Sequence, residues 1–155
     1  MRPIVVLACL LVPFAAAAPA SALIQVDKGI AGARLGNTKA EVRAALGRPA
    51  AVRNGSNDFG PFTTYRYRGG ILVNFQGRTS VSSVSTGGRG DRTARGVGVE
   101  SRESTVRRRV RGVRCETVAG IRSCHTHKFE IGQVVTDFLI KRGKVTRVTV
   151  GRVLD

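Results

Sequence analysis

Apolar residues recur with two different periods along the chain, and each period marks an element. Val42, Ala45 and Leu46 stand at i, i+3 and i+4, which lays one apolar stripe along a helix. Thr38 and Glu41 have capping-box spacing: the Thr38 hydroxyl accepts from the Glu41 amide while the Glu41 carboxylate reaches back to the Thr38 amide. Gly47 can close this helix in a left-handed conformation, and Pro49 blocks its continuation. A second stripe, Val106 and Val110, runs up to Gly112, with Ser101 as the expected N-cap and Glu103 near the positive helix end. Arg107, Arg108, Arg109 and Arg111 fill the late positions of this helix, where they suit its dipole.

Period-two alternation bounded by turn residues predicts strands over 62–68, 71–75 and 80–85, and again over 113–118, 121–129, 133–140 and 145–150. The turn at Gly69-Gly70 can be read two ways. A two-residue turn pairs Tyr67 with Leu72, and a three-residue turn puts Tyr65 opposite Phe75. An offset of 64 residues aligns the halves, placing Gly32 on Gly96, Leu35 on Val99, Val42 on Val106, Leu46 on Val110, Val81 on Val145 and Val84 on Val148. The pattern implies an α+β fold of two tandem repeats, each a short helical segment packed on an antiparallel β-sheet, with the sheets joined in one curved surface. The repeats occupy 23–86 and 96–155, and residues 87–95, rich in Gly and Arg and without periodicity, form the linker. The Arg89-Gly90-Asp91 tripeptide inside it matches an adhesion motif, a match that arises easily by chance in such a segment.

The first 22 residues change the picture of where the protein works. Arg2 precedes an uncharged apolar run from Ile4 to Ala18, and Ala20-Ser21-Ala22 supplies a small-x-small cleavage site, as in a secretory signal peptide. The run is broken by Pro13 and is shorter than the roughly 20 residues a bilayer span needs. Val6-Leu7-Ala8-Cys9 loosely matches a lipoprotein cleavage pattern but comes before the apolar run is complete. The expected product is an exported protein, secreted or held in the periplasm or cell envelope.

The formal charge is +16, and Arg2 is the one charged residue among the first 22, which leaves +15 on the remainder. Such a charge favours anionic partners: nucleic acid, anionic envelope polymer or a membrane surface. A compositional origin competes, since 21 of the 26 basic residues are Arg in a chain rich in Ala, Gly and Val. Tyr65-Arg66-Tyr67-Arg68 is the one stretch where aromatics alternate with basic residues, as single-stranded nucleic acid would require. These tyrosines are either a binding stripe or core.

If Ala119-Gly120 is a two-residue hairpin turn, residues whose numbers sum to 239 face each other, so Cys115 meets Cys124. That pair falls at a site with Cα atoms about 4.5 Å apart, within disulfide range, and the spacing is not that of a redox-active Cys-x-x-Cys. His125 and His127 alternate on one predicted strand, but with Glu130 and Asp137 as the nearby acids they leave a zinc ion short of ligands. No Gly-x-Ser-x-Gly, phosphate-binding Gly-x-x-x-x-Gly-Lys-Ser/Thr or His-Glu-x-x-His motif is present. The expectation is a protein that is not an enzyme and has no catalytic residues, metal, cofactor or small-molecule substrate.

The run Leu35-Gly36-Asn37-Thr38-Lys39-Ala40-Glu41-Val42-Arg43-Ala44-Ala45-Leu46-Gly47-Arg48-Pro49 resembles the helical signature of the superfamily that includes the β-lactamase inhibitory protein and the SmpA/OmlA (BamE-like) lipoproteins of outer-membrane barrel assembly. The resemblance implies a short helical segment on an antiparallel sheet, in two copies, and a concave sheet surface that grips partner proteins. The second half departs from it, with Glu100 in place of Gly36. A protein-binding module in the cell envelope or outside the cell is therefore the leading expectation, with Phe62, Tyr65 and Tyr67 as sheet contacts and Arg107, Arg108 and Arg111 as a basic helix face. An electrostatic binder of anionic polymer, membrane surface or nucleic acid is the alternative.

Overall fold

The computed structural model describes residues 23–77 and 79–154, so the expected signal segment lies outside the described residues. Three short strands, β1 (Leu23–Gln25), β2 (Gly29–Ile30) and β3 (Ala33–Arg34), lead into helix α1 (Lys39–Leu46) and strands β4 (Ala51–Asn57), β5 (Gly60–Arg66), β6 (Ile71–Gln76) and β7 (Ser80–Thr86). There follow β8 (Arg92–Thr93), helix α2 (Glu103–Arg109), and strands β9 (Arg114–Val118), β10 (Ile121–His125), β11 (Val134–Lys141) and β12 (Lys144–Arg152). Eight strands form one antiparallel sheet in the order β4-β5-β6-β7-β12-β11-β10-β9, and β3-β2-β1-β8 form a small second sheet. Among the described residues no helix is long and apolar enough to cross a membrane.

The core is a single layer. Alternation along the large sheet sends Tyr65, Val73, Phe75, Val84, Phe138, Val148 and Val150 to its inner face, where Val42 and Val106 from the helices and Ile24 and Ile30 from the small sheet cover them. The opposite, outer face carries no helix.

This corrects the expected α+β fold of two tandem repeats. The protein is mostly β: the helices have only eight and seven residues, and the strands of both halves merge where β7 pairs with β12, Val84 opposite Val150 and Thr86 opposite Val148. The pattern overstated helix because five strands escaped it. β4 is exposed along its whole length and shows no alternation. The others, β1, β2, β3 and β8, have two or three residues each, too short for a period to register. The 87–95 segment is not a bare linker, since it contributes β8 and a buried Asp91 whose carboxylate accepts from the Thr86 hydroxyl. That inward carboxylate leaves the Arg-Gly-Asp tripeptide without its acidic group at the surface.

Local expectations fared unevenly. The Thr38–Glu41 capping box is complete, and Gly47 closes α1 at φ 76°. The second helix is capped at Arg102 without a side-chain bond, while the Ser101 hydroxyl accepts from the Gly98 amide at 3.0 Å. At the β5–β6 turn neither proposed register is right: Tyr65 faces Val73, Phe75 faces Thr63, and the Tyr67 amide donates to the Ile71 carbonyl at 2.9 Å. The Cys115–Cys124 disulfide is formed, with Cys115 opposite Cys124 and Val118 opposite Ile121 as the hairpin arithmetic requires, and a Cα separation of 3.9 Å.

The 64-residue offset corresponds to one repeated docking geometry. The Gly36 amide donates to the Val81 carbonyl (2.9 Å) and the Val81 amide to the Asn37 carbonyl (2.8 Å). Sixty-four residues on, the Glu100 amide donates to the Val145 carbonyl (2.8 Å) and the Val145 amide to the Ser101 carbonyl (2.9 Å). The loop before each helix is thus pinned to the sheet by the same pair of bonds. Gly36 sits at φ 84° and Glu100 at φ 70°, so Glu100 bears the left-handed conformation that glycine takes without steric cost.

Glu100→Gly is expected to stabilise the fold by about 1 kcal/mol, the relief of the left-handed strain outweighing its exposed ion pairs to Lys144 and Arg89. A thermal melt checks it, and a lowered Tm would show that the ion pairs prevail. Replacing both Cys115 and Cys124 with Ser is expected to cost about 2–3 kcal/mol, the loop-closure value for so short a ring, lowering Tm by about 10 °C.

Candidate functional site

The six residues singled out as partner contacts do not come together. Tyr65 and Tyr67 are 2% and 7% exposed, and they belong to the core. Tyr65 lies edge-on to Phe75 with ring centroids 4.9 Å apart, and the Arg43 guanidinium caps it at 5.3 Å. Phe62 has the opposite parity on β5 and is half-buried on the outer face. On α2, Arg107 is bonded to Glu103 at 2.8 Å, while Arg108 and, just beyond the helix, Arg111 are exposed. Glu103 also accepts from Arg122 at 2.5 Å, and that bond holds its carboxyl below the ordinary carboxylate range.

The outer face itself is the better candidate. Its centre is a hydrogen-bonded polar ladder: the Thr64 hydroxyl donates to Asn74 Oδ1 (2.7 Å), Asn74 Nδ2 donates to Ser83 Oγ (3.1 Å), and the Ser82 hydroxyl donates to the Asn74 carbonyl (3.1 Å). Such a ladder fixes small side chains in place and leaves a flat polar floor. Two shallow cavities open on it, of about 280 Å³ between Phe62, Asn74, Gln76 and Leu154, and of about 220 Å³ between Phe129, Val135, Asp137 and Thr149. They share Ser83 and are divided by the chain's last described residues, Val153 and Leu154. That segment is stitched to the β10–β11 loop, the Val153 amide donating to the Gln133 carbonyl and the Gly132 amide to the Val153 carbonyl, both at 2.9 Å.

Apolar groups border this end of the sheet. Phe59 in the β4–β5 turn is 51% exposed, Phe129 and Ile131 in the β10–β11 loop are 53% and 71% exposed, and Leu154 lies between them. No run of sequence announced this cluster, because its members come from three segments of the chain that only the sheet order brings together.

Against Phe129 lies a buried imidazole. The His125 ring is buried, 4.7 Å from the Phe129 ring; its Nδ1 is 2.6 Å from the His127 carbonyl and its Nε2 is 3.0 Å from Glu116. A carbonyl only accepts, so Nδ1 carries a hydrogen. Across the strand pair His125 faces Asp137, whose Oδ1 is buried with no hydrogen-bond partner among the described residues. Burial pushes the Asp137 carboxyl up from its ordinary value, and the Ser123 hydroxyl and His125 only partly oppose this. His127 turns away to Asp27, 3.2 Å from its Oδ2, so the two histidines share no ligand position. Glu103, Cys115 and Cys124 present ligand atoms close together, but both sulfurs are consumed by the disulfide.

No protein-family model matches this chain, and no curated protein matches its sequence. Solved structures do. An extracellular protein of Bacillus anthracis containing an SCP domain is similar over 76% of this chain, with TM-score 0.52 and 9% identity; the match takes in 44% of that protein, so this chain spans less than half its length. The uncharacterized protein yfeY of Escherichia coli is similar over 82% of this chain and 95% of its own, with TM-score 0.51 and 14% identity. At these identities the likeness shows the fold alone. These sheet-rich neighbours also correct the resemblance to the β-lactamase inhibitory protein and SmpA/OmlA superfamily. Residues 35–49 are a capped two-turn helix with a glycine stop, a local solution open to any short helix that docks on a sheet.

Asp137→Asn separates burial from charge at the site. A carboxyl whose folded pKa is raised is protonated in both states at low pH. As pH climbs past its ordinary 3.8, the unfolded chain ionises first and the fold loses stability. The variant is therefore expected to be more stable than the parent at about pH 7, with the gap closing by about pH 3. Urea midpoints at the two values test this, and a gap independent of pH would refute it.

Proposed function

We propose that the protein is an exported, non-enzymatic binding module that acts through protein–protein contact, in the cell envelope or outside the cell. The contact surface is the outer face of the large sheet at the end bordered by Phe59, Phe62, Phe129 and Ile131. One observation carries this reading: Phe59, Phe129 and Ile131, from segments distant in sequence, stand half-exposed or more around a rigid polar floor, with Phe62 half-buried at its edge. Exposed aromatic and aliphatic anchors are what protein-binding surfaces present; here they stand around a polar floor rather than inside a polar rim. Export is supported by Arg2 followed by the uncharged apolar run from Ile4 to Ala18, and by the disulfide, a bond that persists in oxidising compartments.

An electrostatic role is the second reading, favoured by the +15 charge of the chain beyond residue 22 and by the exposed Arg108 and Arg111. Salt separates the two, because contacts to a polyanion weaken steeply as salt rises while a packed interface changes little. Pull-downs from envelope extract with the exported protein, at about 50 and about 300 mM salt, are expected to retain a discrete protein at both. The double variant Phe129→Asp/Ile131→Asp is expected to release it, and Arg108→Glu/Arg111→Glu to keep it. Retention of nucleic acid or polymer alone, lost at high salt and in the arginine variant, would overturn the proposal.

A further inference from the structure

Away from the outer face, the small sheet and the end of α2 line an open cavity of about 440 Å³. Its walls are the aliphatic side chains of Leu23, Ile24, Val26 and Val110, and its rim carries Arg95, Arg109 and Arg111. The volume falls among those of small-molecule sites, roughly 300–1,000 Å³.

The rim is built to hold positive charge together. Arg95 Nη1 donates to the Arg109 carbonyl at 3.4 Å and Arg109 Nη1 donates to the Arg95 carbonyl at 3.2 Å. This reciprocal pair ties the loop after β8 to the last turn of α2, each guanidinium lying against the other residue's main chain, with both residues lining the cavity. Neither they nor Arg111 reach a carboxylate within ion-pair distance among the described residues, whereas Arg89, Arg107, Arg122, Lys128 and Lys144 each do. The acid on the same helix, Glu103, is already engaged by Arg107 and Arg122. Like charges held in proximity without a counter-charge repel, and an anion placed between them removes that cost.

We infer that this cavity binds a single-chain anionic amphiphile, a long-chain fatty carboxylate being its simplest form, with the acyl chain against Leu23, Ile24, Val26 and Val110 and the head group on Arg95, Arg109 and Arg111. An inorganic anion would use the rim and leave the walls empty. A neutral chain would use the walls and leave the arginines repelling. The occupant that satisfies both has one apolar chain and one anionic head. This site is separate from the sheet face proposed for protein contact, so either can fail alone.

The exported protein, disulfide intact, is titrated calorimetrically with dodecanoate, decanoate, dodecanol and acetate, each below its aggregation concentration. Dodecanoate is expected to bind, and decanoate about tenfold more weakly, as the loss of two buried methylenes requires. Dodecanol is expected to bind at least about tenfold more weakly than dodecanoate, the loss of charge-assisted hydrogen bonds, and acetate not measurably. Arg109→Glu/Arg111→Glu is expected to abolish dodecanoate binding, and Leu23→Ser, at an exposed wall, to weaken it with the rim intact. Arg147→Glu, elsewhere on the molecule, is expected to leave it unchanged. Dodecanol binding as tightly as dodecanoate, acetate binding as tightly as either, or indifference to both site variants while the far-ultraviolet spectrum stays native would overturn the inference.

Discussion

The pairing of β7 with β12 is the contact on which the rest of the structure depends. Four residues of each strand meet, Ser83 to Thr86 against Val148 to Gly151, and through them two runs of strands become one sheet. Val84, Val148 and Val150 are fully buried at this seam. Gly151 eases the fit there: a Cβ on it would stand 3.1 Å from the Ser83 Cβ, so a larger residue would require Ser83 to give by a few tenths of an ångström. Without the seam each half would offer a helix of two turns and a few strands, too little to enclose a core.

The seam also arranges the outer face. Ser83 lies in both shallow cavities because its strand is central, and the carboxyl-terminal Val153 and Leu154 cross the face because β12 ends beside β7. On the inner side the two helices and the small sheet share the work of coverage, α1 contributing Val42, α2 Val106 and the small sheet Ile24, Ile30 and Ala33. Arg43 over Tyr65 and Lys39 over Phe75 show how long basic side chains complete that cover at its margins.

What could be read from the sequence was what local chemistry dictates. The α1 cap and stop, the Ala119-Gly120 hairpin and the disulfide that follows from it each depend on residues within ten positions of one another. The parity of β5 separates what the sequence alone groups as one set of sheet contacts: Phe62 stands on one face and Tyr65 and Tyr67 on the other. The rest required long-range information. β4 is a strand only because β5 offers it a partner, and the apolar border of Phe59, Phe129, Ile131 and Leu154 exists only once strand order is known. The motif at residues 35–49 is informative about a helix and uninformative about ancestry, since capping chemistry is common to unrelated folds.

The two margins of the large sheet are not equivalent. At one, β9 is joined covalently to β10 through Cys115 and Cys124. At the other, β4 is held to β5 by main-chain bonds and by one side-chain bond, the Thr63 hydroxyl donating to Asn54 Oδ1 at 2.9 Å, and all seven of its residues are exposed. Local opening follows the weakest attachment, so the sheet unravels from the β4 side, whose amides exchange with solvent first. At the far margin the disulfide keeps β9 from opening away from β10. A covalent link at one edge thus gives the unfolding of this protein a direction.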